Sequence, residues 1–308
     1  MSDSPRGEHE VGLSLQEFIA RTKSGGMGRE ETTRYVYSAD LTMLRSFRAM
    51  PAVESVSTSL VRMNLEMLRG SLLGSCVKVT SGQFPSLYKL IERCATTLQV
   101  PVPQVYVANS PVMNAYTFGT DQDSCIVLHS ALVDSFTESE LLFVIGHETG
   151  HIQNKHVIYG TLMVLVAKAA ELFIGPLVMP IQIPLNAWYR RAEITCDRAG
   201  LLCSRDLESA SRSFVKLAVG SQKLANEVDM TAFLSQLEEV QGSVGRYMEA
   251  FQSHPILPKR IRALQAFAES ALYREHMGLT GGITIEQVDE RTSAIIQLDG
   301  AKEDQPAH

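Results

Sequence analysis

Between residues 34 and 50 apolar side chains recur three and four positions apart, the spacing of one helix face, until Pro51 stops or redirects the run. A second helix is expected to about residue 69, ahead of Gly70. The period then shortens. Residues 72–80 read as a strand, Ser81-Gly82 as a turn, and 87–98 as an amphipathic helix. Residues 105–108, 113–118 and 125–128 read as short strands, and Asp121-Gln122-Asp123 suits a hairpin turn between the last two. The result is a small sheet of three or four strands in an otherwise helical chain.

Thr137-Glu138-Ser139-Glu140 has the form of a capping box ahead of an apolar run, so a helix is expected from 138 to about 157. Residues 157–187 are strongly apolar. Lys168 and Glu171 interrupt them, and Pro176, Pro180 and Pro184 make a regular spanning helix poor. Further helices are expected over 188–204, 208–227, 231–251 and 259–274. Residues 1–30 are polar and Gly-rich and read as a tail with a short helix over 13–21. The end from Gly278 reads as a second tail, loose beyond 298. One α+β, mostly helical domain is left between, over 31–277.

The apolar run after the capping box leads into His147-Glu148-Thr149-Gly150-His151. Residues four apart on a helix lie one above the other on one face, so both imidazoles can reach a single zinc ion at about 2.0–2.1 Å. Glu148 lies about 100° round the helix, where a carboxylate can take a proton from water acidified by that zinc. The alternative is a helix with two satisfied or solvated histidines.

A catalytic zinc takes three protein ligands and keeps one position open. Glu193 is the candidate third ligand. Asp197, four residues on and on the same face, can accept the second ring N–H of a ligand histidine and fix its tautomer. The bland reading is a solvated acid pair balanced by Arg190, Arg191 and Arg198. His254, held in extended or turn backbone by Pro255, can lean over a metal site and stabilise an oxyanion, or can be an ordinary loop histidine.

Composition narrows the classes. The chain has 308 residues, 45% hydrophobic and 20% charged, an ordinary globular mix. The net charge of −6 leaves no Lys/Arg excess for nucleic acid. The N-terminus lacks the apolar run of a secretory signal, and the five cysteines form no CxxC pair, so reduced thiols in a cytoplasmic setting are expected.

Together the three motifs resemble the Ste24/HtpX-type zinc metallopeptidases, family M48. The matching stretches are 146–152, 190–197 and 254–261. The family's second motif, SRxxExxAD, is met at Arg190, Glu193 and Asp197, with Tyr189 in place of the Ser and Cys196 in place of the Ala. Its third, HPxxxxRI, is met in full. Asn114-Ala115-Tyr116 resembles the family's Asn-Ala-aromatic segment on the strand beside the substrate groove, where substrate adds as a β-strand. The resemblance covers about residues 70–270, with 157–187 an apolar insertion. It implies a zincin-like (gluzincin) domain with one Zn2+ per chain and a peptide or protein substrate. His147, His151 and Glu193 would bind metal, Glu148 would be the base and His254 the oxyanion stabiliser. Asp197 would orient a ligand, and Arg260 would anchor the His254 loop. A latent zinc-binding scaffold or membrane-surface adaptor is the rival reading. For 157–187 a lid over the cleft or a partner face is preferred to a shallow membrane dock.

Overall fold

A computed structural model of the chain describes residues 34–49, 70, 74–169, 175–239 and 256–296, with side chains described throughout except at 164–169, 175–181 and 238–239. The expected tail over 1–30, the helix to residue 69 and His254 lie outside these ranges.

The fold is α+β and mostly helical, with one small mixed sheet. In chain order the elements are α1 (Ser38–Arg48), β1 (Cys76–Lys78), α2 (Pro85–Thr97), β2 (Gln104–Ala108), β3 (Ala115–Gly119), β4 (Ser124–His129), α3 (Ser130–Ser135) and α4 (Glu138–Gln153). Then come α5 (Val157–Ala169), α6 (Gly175–Ser204), α7 (Leu207–Val219), α8 (Gln222–Ala225), α9 (Met230–Glu239), α10 (Leu257–Ala268), α11 (Ala271–His276) and α12 (Ile285–Ile296). The strands run in the order β1-β2-β4-β3. β1 is antiparallel to β2, β2 parallel to β4, and β3 antiparallel to β4. The expected hairpin closes where Thr120 N–H donates to Asp123 O at 2.9 Å.

α4 starts where expected. Glu140 N–H donates to Thr137 Oγ1, and Thr137 N–H donates to Glu140 Oε2 at 2.7 Å. The same Glu140 Oε2 takes a hydrogen bond from Lys216 Nζ on α7 at 2.7 Å, so the cap is also a buried ion pair. From Glu140 to His151 every residue of α4 is buried, so this is a central helix covered on all sides rather than a two-faced one. Its closest neighbour is α6, and small residues permit the approach. A methyl on Gly146 would lie 2.7 Å from Cys203 Cβ, and one on Gly150 would lie 2.9 Å from Ala199 Cβ. α2, β4 and α10 complete the main core around Ile91, Leu128, Leu142, Ala199 and Ile261.

Several expected boundaries are corrected. The first strand is confined to Cys76–Lys78. α4 stops at Gln153 rather than near 157, because Lys155 takes a left-handed φ of 59° and His156 N–H turns back to His151 O at 2.9 Å. The helix expected from 188 already begins at Gly175. Pro176 stands in its first turn, where a missing N–H costs nothing. Pro180 and Pro184 follow four apart, so the acceptors they leave unbonded, the carbonyls of 176 and 180, line one side and the rod continues. The expected helix over 208–227 is split by Gly220 at φ 64°. That over 259–274 is split at Ser270, which caps α11 by accepting from Tyr273 N–H at 3.0 Å.

The expected C-terminal tail is also corrected, because it carries α12. Val288 and Thr292 of that helix are buried. Asp289 Oδ1 lies 2.8 Å from Nη2 of Arg198, a fully buried residue of α6. Within the apolar insertion, Ile158, Tyr159, Leu162, Met163 and Leu185 are buried, together with Trp188 just after it, against Leu44 and Phe47 of α1, so the chain itself covers these residues. No helix among the described residues is long and apolar enough to cross a membrane.

Candidate metal centre

α4 and α6 bring the predicted ligands together. One ring nitrogen each from His147 and His151 and one carboxylate oxygen from Glu193 lie within 4.8 Å of one another, and all three residues are buried. His147 Nε2 is 3.6 Å from Glu193 Oε2, and His151 Nε2 is 3.3 Å from Glu193 Oε1. Donors bonded to one tetrahedral zinc at about 2.0–2.1 Å lie roughly 3.3–3.4 Å apart. Formal charge agrees. Glu193 and Asp197 are buried carboxylates that share the Arg260 guanidinium, and Glu148 adds a third buried carboxylate, a setting that suits a divalent cation. The residues present therefore fit zinc.

The surrounding contacts orient these donors. His147 Nδ1 lies 2.9 Å from Asp197 Oδ1, which directs Nε2 toward Glu193. Arg260 Nε donates to Asp197 Oδ2 at 2.8 Å and Nη2 to Asp197 Oδ1 at 2.6 Å, while Nη1 lies 2.9 Å from Glu193 Oε2. Its guanidinium packs over the Phe214 ring at 4.7 Å. Burial works against the Arg260 charge, but Asp197 and Glu193 outweigh it and raise the pKa. Burial likewise pulls His147 down, yet Glu193 and Asp197 leave it raised. His151 is lowered, chiefly by burial.

Arg260 was expected to anchor the His254 loop. That loop lies outside the described residues; among the described ones Arg260 meets Glu193 and Asp197 and braces both carboxylates. Glu148 is buried beside the ligands and accepts from Thr117 Oγ1 on β3 at 2.6 Å. β3 is a terminal strand of the sheet. Ala115 and Thr117 share one face of it, whereas Tyr116 points to the other, against Phe118 and His129, and is 40% exposed. Asn114 lies just before the strand and accepts from His129 N–H at 3.0 Å.

Three contributors were not read from the sequence. Thr117 had a weak signal, since it stands next to Asn114-Ala115-Tyr116. Tyr189 replaces the small residue of the resembled motif and stacks on His151, ring centroids 5.5 Å apart and planes 10° apart. Burial, then Glu193 and Glu148, raise its pKa well above the usual range. The Gly146–Gly150 approach has its sequence signal in the four-residue spacing of these glycines.

A helix bearing two histidines, a carboxylate from a second helix and a buried glutamate against a sheet edge define a metallopeptidase-type centre. The chain belongs to peptidase family M48, whose profile matches residues 81–268. It is 30% identical over 254 residues to the plastoglobule-localized metallopeptidase 48, chloroplastic, of Arabidopsis thaliana, covering 78% of this chain and 73% of that one. It is 25% identical over 232 residues to a protease HtpX homolog of Streptococcus mutans, covering 63% and 77%. A protease HtpX homolog of Salinibacter ruber is 25% identical over 218 residues, covering 63% and 78%. The chain is thus a peptidase by family, and the family implies a metal.

Proposed function

We propose that this chain is a zinc-dependent endopeptidase in which His147, His151 and Glu193 hold the metal and Glu148 is the base. The observation that carries the reading is the meeting of these three donors within 4.8 Å, with Glu148 beside them on the same helix. Zinc, when bound, supplies a Lewis acid that polarises the scissile carbonyl and acidifies water.

The remaining work falls to the chain's own groups. Glu148 takes a proton from the attacking water and returns it to the leaving amine. Thr117, donating to Oε2, fixes which Glu148 oxygen stays available. Asp197 keeps the His147 proton on Nδ1, so Nε2 remains a lone-pair donor. Arg260 neutralises part of the carboxylate charge and holds Glu193 and Asp197 in register. His254 is assigned the oxyanion through its HPxxxxRI context. Substrate adds as an extended strand along β3. Gly119 N–H points outward, to Thr161 Oγ1 at 3.2 Å, and by alternation Ala115 and Thr117 aim their backbone groups the same way.

Metal analysis tests the ligand set. About one zinc per chain is expected, lost in His147→Ala, His151→Ala and Glu193→Ala, because two remaining ligands hold it poorly. Full zinc in Glu193→Ala removes Glu193 from the set.

A further inference from the structure

A second group of donors lies behind the first. His151, His156 and Cys196 each place one ligand atom within 4.8 Å of the others, and all three are buried. His156 follows the break that ends α4, and Cys196 occupies the turn of α6 between Glu193 and Asp197. The His151 ring stands between those of His147 and His156, with centroids 5.0 Å and 5.4 Å away.

The group is built as metal sites are built. His156 Nε2 lies 3.1 Å from Asp40 Oδ2 on α1, and Nδ1 faces Cys196 Sγ at 3.6 Å. Asp40 is itself held by Trp188 Nε1–H at 3.0 Å and by the Thr195 hydroxyl at 2.7 Å. A carboxylate on one ring nitrogen places the proton there and turns the other toward the thiol as a lone-pair donor, the role Asp197 plays for His147. Trp188 also packs edge-on against His156 at 5.5 Å and prevents the ring from swinging out.

We propose that His151, His156 and Cys196 form a second cation site, selective for thiophilic divalent ions such as cadmium or excess zinc, which competes with the peptidase set for His151. One thiolate and two imidazoles suit such ions, whereas the peptidase set offers only nitrogen and oxygen. On binding, the Cys196 thiol releases its proton to solvent and the sulfur bonds the metal; no oxidant or reductant is required. The competition rests on His151 being a ligand of the peptidase metal, as proposed above. The existence of the second site does not. Its consequence is regulatory: a cell loaded with a thiophilic ion inactivates the peptidase by recruiting His151, without blocking the substrate strand.

The test uses the zinc-loaded full chain titrated with cadmium chloride, reading the ultraviolet thiolate-to-cadmium charge-transfer band and, in parallel, zinc released to a chromogenic chelator. The expected result is a band saturating at about one cadmium per chain, matched by loss of one zinc. Cys196→Ala and His156→Gln should each lose the band or weaken cadmium binding at least tenfold. Glu193→Ala, which tests the peptidase set, should keep the band. A cadmium NMR resonance in the mixed sulfur–nitrogen region for the unmutated chain provides the same reading should either variant fold poorly. A band undiminished in Cys196→Ala, a band kept in full in folded His156→Gln, or a cadmium resonance of purely nitrogen–oxygen type overturns the site. A full band with all zinc retained overturns the competition.

Discussion

Replacing Gly200 by alanine tests whether the approach of α6 to α4 sets the metal geometry. A methyl at Gly200 would lie 2.6 Å from the backbone oxygen of Phe143 and 2.8 Å from its ring. Ordinary contact begins near 3.4 Å, so the helices must part by roughly 0.8 Å. The backbone oxygen cannot rotate away, and the Phe143 ring is held edge-on to Phe214 at 5.3 Å. Overpacking of this kind costs about 1–3 kcal/mol, against a gain of about 1 kcal/mol from helix propensity. A net loss of up to about 2 kcal/mol is expected. Glu193 stands two turns earlier on the same helix, and metal sites tolerate only about 0.2 Å in ligand distance. Zinc affinity should therefore fall roughly ten- to a hundredfold. Urea unfolding with and without zinc, together with chelator competition, measures both quantities. If Gly200→Ala is about 1 kcal/mol more stable than the parent, with unchanged zinc affinity, propensity alone is acting and the tight seam is refuted.

Other changes probe other contacts. Asp197→Asn removes the negative charge beside His147 Nδ1 and turns an amide donor toward either that ring or Arg260, and should weaken zinc about 10–100-fold in chelator competition while the fold persists. Lys216→Met leaves Glu140 buried without its cation and should cost about 3–5 kcal/mol in urea unfolding, which also loosens the start of α4. Asp206 caps α7 by accepting from Ser209 N–H at 3.0 Å. Burial opposes its charge, but hydrogen bonds from Ser209 and from the Glu208 backbone together outweigh it and hold its pKa below the usual range. A lowered carboxylate pKa stabilises the fold above the unfolded value and loses that contribution as pH falls through the folded value. Asp206→Ala should thus cost about 1 kcal/mol at neutral pH, and the difference from the parent should shrink below about pH 4.

Much of the centre was legible because it is local. The capping box, the four-residue spacing of His147 and His151, and that of Glu193 and Asp197 all lie within single helices, where chemistry and period coincide. The strands of the sheet and its hairpin turn carried their own signals. What was missed depends on distant residues or on backbone choices without a residue signature. Lys155 enters the left-handed region with no glycine to announce it, so the sequence pattern alone predicts a longer α4. The prolines of 176–184 read as a break, yet they extend α6 because their four-residue spacing confines the lost bonds to one side. α12 looked like tail because its anchor is Arg198, about ninety residues away in sequence. The pairing of Arg260 with Glu193 and Asp197, and that of Asp40 with His156 in the break between α4 and α5, likewise join segments that no sequence window spans.

The central claim is that Glu148 moves the proton while His147, His151 and Glu193 only hold the metal. Turnover of an unstructured peptide by zinc-loaded Glu148→Ala, with zinc content read on the same sample, addresses it directly. The account predicts about one zinc per chain and hydrolysis lost by at least a hundredfold relative to the parent. Hydrolysis within a few-fold of the parent at full zinc occupancy would contradict it.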